Sequence, residues 1–244
     1  MLRKVILGLL IVIVLASAGF VIWASAALGP SQIALAALNS GNGVIVTNHP
    51  GWIMFSPENS QLTTGFIFYP GGKVDYRSYA PLMSLIAAKG YQVVLVQEPL
   101  NLAIFGIEKA QDVIKAYPQI KSWAIGGHSL GGSMAAQFVS NHLNSVQGLI
   151  FWASYPAGSL ADRTDVIVTS ISGSKDGLST SDKIEASKKL LPDATTFVVI
   201  SGGDHGQFGS YGDQPGDTPA TISPADQWQQ TVDATVALLK QIAK

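Results

Sequence analysis

Two kinds of apolar patterning divide the chain. From Val5 to Leu28 no charged residue occurs, and the 19 residues from Val5 to Trp23 are all apolar or small. A helix of that length is about long enough to cross a bilayer core of roughly 30 Å. From Gly65 onward the apolar residues come in short runs instead: Gly65–Tyr69, Gln92–Gln97, Ser122–Ile125, Gly148–Trp152, Val166–Ser170 and Thr196–Ile200. Each is a β-branched or aromatic stretch without clean alternation, the pattern of strands buried on both faces.

Helical stretches separate these runs. Tyr79–Lys89 ends at Gly90, a residue suited to the position after a helix. Glu108–Ala116 places Val113 and Ile114 on one face, Ser133–His142 follows a glycine-rich segment, and Ser181–Leu191 stops at Pro192. The last helix opens at Ser223-Pro224-Ala225-Asp226, with serine as cap, proline in the first turn and an acid two residues later. It then carries Trp228, Val232, Val236, Leu239 and Ile242 at helical spacing. Nearer the start, Ser31–Asn39 reads as a short helix. Val44–Thr47 and Trp52–Phe55 read as strands joined by His49-Pro50-Gly51. The expected fold is α/β: a doubly wound, mostly parallel sheet with a leading antiparallel hairpin, preceded by an N-terminal transmembrane helix. Residues 1–28 form the anchor or signal segment, 29–42 a linker with a short helix, and 43–244 one α/β domain.

Charge gives the apolar segment a direction. Arg3 and Lys4 stand just before it, and the next charged side chain is Glu58. Positive charge on that flank predicts a cytoplasmic N-terminus and an exported domain, hence a single-pass protein of the cell membrane. Ala24-Ser25-Ala26 resembles a signal-peptidase site, so secretion after cleavage is the alternative. The run exceeds the ~7–15 residues of a signal core, which favours the anchor. A buried core helix is the third reading. Beyond Arg3 and Lys4 the chain holds 13 basic and 16 acidic side chains, without a basic stripe, so nucleic acid is not an expected partner. No obligate protein partner is evident either. The absence of cysteine excludes disulfides, a thiolate nucleophile and a cysteine metal site. No metal or cofactor is expected.

Gly127-His128-Ser129-Leu130-Gly131 lies directly after one expected strand and before one expected helix. In that setting a serine occupies a strained strand-to-helix turn, and small neighbours let the chain pass close to itself. The alternative is a tight glycine turn whose serine only caps the helix. A serine hydroxyl is a weak nucleophile until a base takes its proton and a third group orients that base. Of four histidines, His49 is in the hairpin, His142 closes the helix after Ser129, and His128 adjoins the serine and reads as packed support. His205, in Ser201-Gly202-Gly203-Asp204-His205-Gly206 after the last strand, is the expected base. Asp176, after the strand Val166–Ser170, is the expected orienting acid, with Asp204 as rival and Asp165 on the wrong side of its strand. An oxyanion needs two donors: the N–H of Leu130, and one from Tyr69-Pro70-Gly71-Gly72-Lys73. Gly72 is favoured there and Lys73 comes second.

From about Gly65 to the C-terminus the chain resembles the single-domain bacterial α/β-hydrolases, in particular the dienelactone-hydrolase-like group. The resemblance rests on Tyr-Pro-Gly-Gly at 69–72, Gly-His-Ser-Leu-Gly at 127–131, Gly-Ser-Lys-Asp-Gly at 173–177 and Gly-Gly-Asp-His at 202–205. It implies a serine hydrolase working through Ser129, His205 and Asp176. Dienelactone hydrolases use a cysteine nucleophile, which this chain lacks, so a small-molecule carboxylic ester is the expected substrate rather than their lactone. A non-catalytic hydrolase-fold binding protein at the cell envelope and a perhydrolase with the same triad are the alternatives. Ser154 to Asp165 is too short for a helical cap, so the site should be open. Leu100, Leu102, Ile104, Phe105, Tyr155 and Phe208 are candidates to line it, although core or loop packing accounts for each as well. The stretch Gln207–Ile222 either folds over the His205 loop or stays mobile.

Overall fold

The structure, a computed structural model, describes residues 2–58 and 62–243; the expected outer bounds at residues 1 and 244 lie outside it. The first helix, α1 (Leu2–Ser25), is exposed along its length except at Ala24. It is long and apolar enough to cross a membrane. After it, Ser31 caps α2 (Gln32–Ala36) by accepting the Ala34 N–H, which makes this helix shorter than Ser31–Asn39.

β1 (Val44–His49) and β2 (Trp52–Pro57) pair antiparallel, with His49 opposite Trp52 across Pro50-Gly51. Gly51 has φ 92°, a conformation that a residue with a side chain takes up only with strain. Beyond the hairpin come β3 (Thr64–Tyr69), α3 (Ala80–Ala87), β4 (Gln92–Val96), α4 (Lys109–Ala116), β5 (Ser122–His128), α5 (Leu130–Asn141), β6 (Gly148–Trp152), β7 (Ile167–Gly173), α6 (Ser181–Ser187), β8 (Thr196–Ile200) and α7 (Pro224–Ile242). The eight strands form one sheet in the order β1-β2-β4-β3-β5-β6-β7-β8, parallel from β4 to β8.

β3 to β6 are buried on both faces, and alternate residues feed two cores. Phe66, Phe68, Val93, Leu95 and Trp152 face α3 and α7, meeting Leu82, Met83, Val232 and Leu239. Ile67, Tyr69, Val94, Ile125 and Phe151 face α4 and α5, meeting Val113, Ala135 and Phe138. Both faces are covered, which is why the strands read as unbroken apolar runs.

The difference from the expected elements that bears on the site is at α5. It begins at Leu130, not Ser133, and β5 runs on to His128, so Ser129 alone makes the turn. Gly131 and Gly132 lower helix propensity, but packing requires them. A side chain at Gly131 would collide with the Tyr69 and Pro70 carbonyls, and one at Gly132 with Ser154.

The chain moves from β3 outward to β4, then back across β3 to β5. The crevice where those directions part, beyond the carboxyl ends of β3 and β5, is where open α/β sheets place ligands. Ser129 and the Gly71-Gly72 loop stand there.

Candidate active site

Ser129 has φ 50° and ψ −120°, in the left-handed half of the map that a residue with a side chain avoids. Surrounding bonds hold it. Its N–H donates to the Trp152 carbonyl at 3.0 Å, and its own carbonyl accepts the Ser154 hydroxyl at 2.6 Å. Gly127 allows this close turn, because a side chain there would strike the Tyr69 carbonyl and the backbone of Gly131. Lys73, Leu100, Asn101 and Ala153, all in loops at the same end of the sheet, also have positive φ.

The expected acid and base meet. His205 Nδ1 lies 2.8 Å from Asp176 Oδ2, and both side chains are essentially without solvent contact. The other Asp176 oxygen accepts the N–H groups of Leu178 and Ser179 at 2.8 and 2.6 Å. Those bonds set the orientation of the carboxyl group. The far ring nitrogen, His205 Nε2, is buried with no hydrogen-bond partner among the described residues. The rival acid is committed elsewhere: Asp204 accepts the N–H groups of Gln207 and Ala220, and Gln227 grips its backbone from both sides. Burial raises the pKa of Asp204 above its ordinary value. Asp165 pairs with Arg163, and His142 with Glu108; His49 stacks on Trp52 in the hairpin.

His128 lies beneath this pair. Its ring is 4.4 Å from that of His205 between centroids, and Nδ1 is 2.8 Å from the Tyr79 hydroxyl, which also accepts the Gly71 N–H at 3.0 Å. Burial first, and the neighbouring His205 second, push the His128 pKa well down, so it stays neutral. Neutral, His128 places no charge against the His205 ring. Burial likewise pushes the Tyr79 pKa far up and keeps its proton in place.

Of the expected oxyanion donors, Leu130 opens α5, so its N–H has no acceptor within the helix. Gly72 packs on Leu130: a side chain at Gly72 would come within 3.0 Å of the leucine. Lys73 is engaged elsewhere, because its N–H donates to the Asn101 carbonyl at 2.8 Å. Of the two expected donors in this loop, only Gly72 is without a backbone acceptor among the described residues. Ser129, Leu130, Ser133, Ser154, Tyr155 and Ser179 line a cavity of about 270 Å³. Tyr155 is thus the one expected apolar lining residue at its wall. Leu102 approaches Gly72, and Phe208 is fully buried against His128 and Trp152. Ile104 and Phe105 lie on the surface, each 54% exposed.

Three supporting residues were not foreseen: Tyr79, Ser154 and Asp217. Asp217 lies in the 207–222 stretch, which folds back over the His205 loop. Its carboxylate accepts the N–H groups of Gly177, His205 and Gly206. Ser154, two residues beyond β6 at the end of the sheet that carries the site, could have been suspected from its place; nothing local marks Asp217. Among the described residues no group of three or more His, Asp or Glu stands close enough to hold a metal ion.

Comparison with solved structures finds the same fold elsewhere. A protein of Agrobacterium vitis S4 assigned as a hydrolase is 14% identical, with a TM-score of 0.57, over 80% of this chain and 97% of its own. One of Klebsiella pneumoniae subsp. pneumoniae MGH 78578 assigned as a dienelactone hydrolase is 16% identical, with a TM-score of 0.61, over 82% of this chain and 100% of its own. Curated proteins yield no match. Residues 65–229 match the sequence model of the alpha/beta hydrolase family, a span that takes in both β3 and the His205 loop, and the chain belongs to that family.

Proposed function

We propose that the chain hydrolyses carboxylic esters, with Ser129 as nucleophile, His205 as general base and Asp176 as the acid that orients it. The observation that carries this reading is the buried Asp176–His205 pair, which leaves Nε2 of the imidazole unpartnered among the described residues, with the His205 ring 4.4 Å from that of His128, the residue before the strained Ser129 turn. Ser129 Oγ attacks the ester carbonyl while His205 takes its proton, and Asp176 stabilises the imidazolium. The N–H groups of Leu130 and Gly72 receive the oxyanion. His205 returns the proton to the departing alcohol, and water then releases the acid from Ser129 by the same path in reverse. An ester fits better than a peptide, because 154–165 contains no helix that could act as a cap.

We read α1 as an uncleaved membrane anchor. Ala24 is fully buried and its carbonyl accepts from Asn101 Nδ2 at 3.5 Å. Leu28 exchanges backbone bonds with Lys73 and Asp75, and the Ser31 N–H donates to Ser210. A cut after Ala26 would discard part of a seam that the body is built to hold.

The test uses the full chain in detergent. A fluorophosphonate probe should label it, and Ser129→Ala should abolish both labelling and turnover of short p-nitrophenyl esters. Continued hydrolysis by well-folded Ser129→Ala would overturn the mechanism.

A further inference from the structure

The last turns of α1 do not end at a neutral place on the body. The Phe20 ring meets the Phe105 ring edge-on at 6.2 Å, and the Lys73 ammonium lies 4.5 Å above the Trp23 ring. Asn101, which binds the Ala24 carbonyl, also accepts the Lys73 N–H. So the end of the anchor is stacked on the two loops beside the Ser129 cavity: 71–75, which contains Gly72, and 99–105. Leu102 reaches Gly72, and Gly72 reaches Leu130 at the cavity wall.

Helix length sets the depth of these contacts. An apolar run of 19 residues starting at Val5 reaches the far boundary of a bilayer core at about Trp23, with Phe20 about one turn inside it. Aromatic side chains collect at that boundary. Phe105, in edge contact with Phe20, must then lie at the same depth, with Ile104 beside it. Both are 54% exposed; Ile33, Leu143 and Val199 are more exposed still, so it is the contact of Phe105 with Phe20 that marks this pair. Lys73, whose ammonium lies over the Trp23 ring at that boundary, is within reach of headgroup phosphates.

We propose that Ile104 and Phe105, with Phe20 and Trp23, form a wedge seated in the bilayer surface that holds the mouth of the Ser129 cavity against it. The substrate class is then acyl esters partitioned in the membrane rather than dissolved esters. This rests on the hydrolase and anchor readings above.

The chain has no cysteine, so a single one can be placed and labelled. Full-length Ile104→Cys and Leu143→Cys are labelled with an environment-sensitive fluorophore and reconstituted into vesicles containing bromolipids. Leu143 is 69% exposed just past the far end of α5, one helix length from Ser129. Quenching of the label at 104 but not at 143 is expected; equal quenching, or none at 104, overturns the proposal. In unlabelled vesicles, the double variant Ile104→Ser/Phe105→Ser should lose tenfold or more of its rate on a bilayer-embedded long-chain p-nitrophenyl ester. Its rate on p-nitrophenyl acetate should stay within twofold of the unaltered chain. Equal loss on both esters, or loss on neither, overturns the proposal, as does a mature chain beginning near Ala27. If the unaltered chain takes no fluorophosphonate and cleaves neither ester, the hydrolase reading has failed and the substrate class falls with it; quenching at 104 reads the wedge independently of catalysis.

Discussion

Asp217 Oδ2 accepts the backbone N–H of His205 at 2.9 Å, and Oδ1 of the same carboxylate accepts that of Gly177 at 2.8 Å. One side chain thereby ties the loop bearing the candidate base to the loop bearing the candidate acid. It also takes the N–H groups of Gly206 and Thr218. Four charge-assisted bonds make it a clasp between β7 and β8 at the site end of the sheet.

Asp217→Ala should therefore loosen the geometry of His205 without touching substrate. A fall in kcat of about 10- to 100-fold with little change in KM is expected, because displaced catalytic groups lose transition-state stabilisation more than ground-state binding. Leaving backbone donors without an acceptor should cost about 2–3 kcal/mol of stability. Asp217→Asn, which keeps one acceptor oxygen, should recover part of both in steady-state kinetics and thermal melts.

Ser154 holds the nucleophile's backbone. Ser154→Ala removes the 2.6 Å bond to the Ser129 carbonyl and should cost about 1 kcal/mol of stability. The larger effect should be on chemistry: the turn relaxes, and fluorophosphonate labelling of Ser129 slows by about tenfold. Rapid-quench labelling against a melting curve separates the two. Unchanged labelling would mean that the glycines alone hold the turn.

Tyr79 joins the Gly71 N–H to His128. Tyr79→Phe leaves a buried donor and a buried ring nitrogen without their partner, so a loss of about 2–4 kcal/mol is expected. Because Gly71 precedes Gly72, the variant should also lose kcat beyond what its stability explains. Assay well below its melting temperature checks this.

Glu98 gives the pH dependence. It is buried beyond β4, both carboxyl oxygens lack partners among the described residues, and burial, opposed by Lys109, pushes its pKa up to about 8. The unfolded chain releases this proton above about pH 4.3, whereas the folded chain keeps it to about 8. The folded state binds more protons in that window, so this contribution to stability falls as pH rises from the lower value to the higher. Glu98→Gln mimics the protonated form and should remove the slope. Differential scanning calorimetry at pH 8 should show its Tm roughly 5 °C above that of the unaltered chain, with the gap closing toward pH 5. A gap of constant size would indicate packing rather than titration.

The elements were largely legible because both faces of the sheet are covered. Such strands announce themselves as apolar runs, and all eight appear within a few residues of the expected positions. The start of α5 was not legible, since Gly131 and Gly132 look like a helix breaker to local propensity. Packing requires glycine there, because a side chain would strike the Tyr69 and Pro70 carbonyls at 131 and Ser154 at 132. The positions of Ser129, Asp176 and His205 followed from which strand each residue follows. Asp217 did not, because its role depends on how a 16-residue loop folds back, and loop paths are set by contacts distant in sequence.

The sequence by itself determined the apolar N-terminal helix, the layered α/β fold and the order of the three candidate catalytic residues. All of these arise from local chemistry: continuous hydrophobicity, alternating element types, and small residues around one serine. Only the tertiary structure decided that Asp176 rather than Asp204 meets His205, that Lys73 spends its N–H on Asn101, and that α1 ends against the loops of the site. Each of those outcomes depends on which polar groups and surfaces are brought together by packing between residues far apart in the chain, where desolvated groups bond to whatever partner the fold delivers.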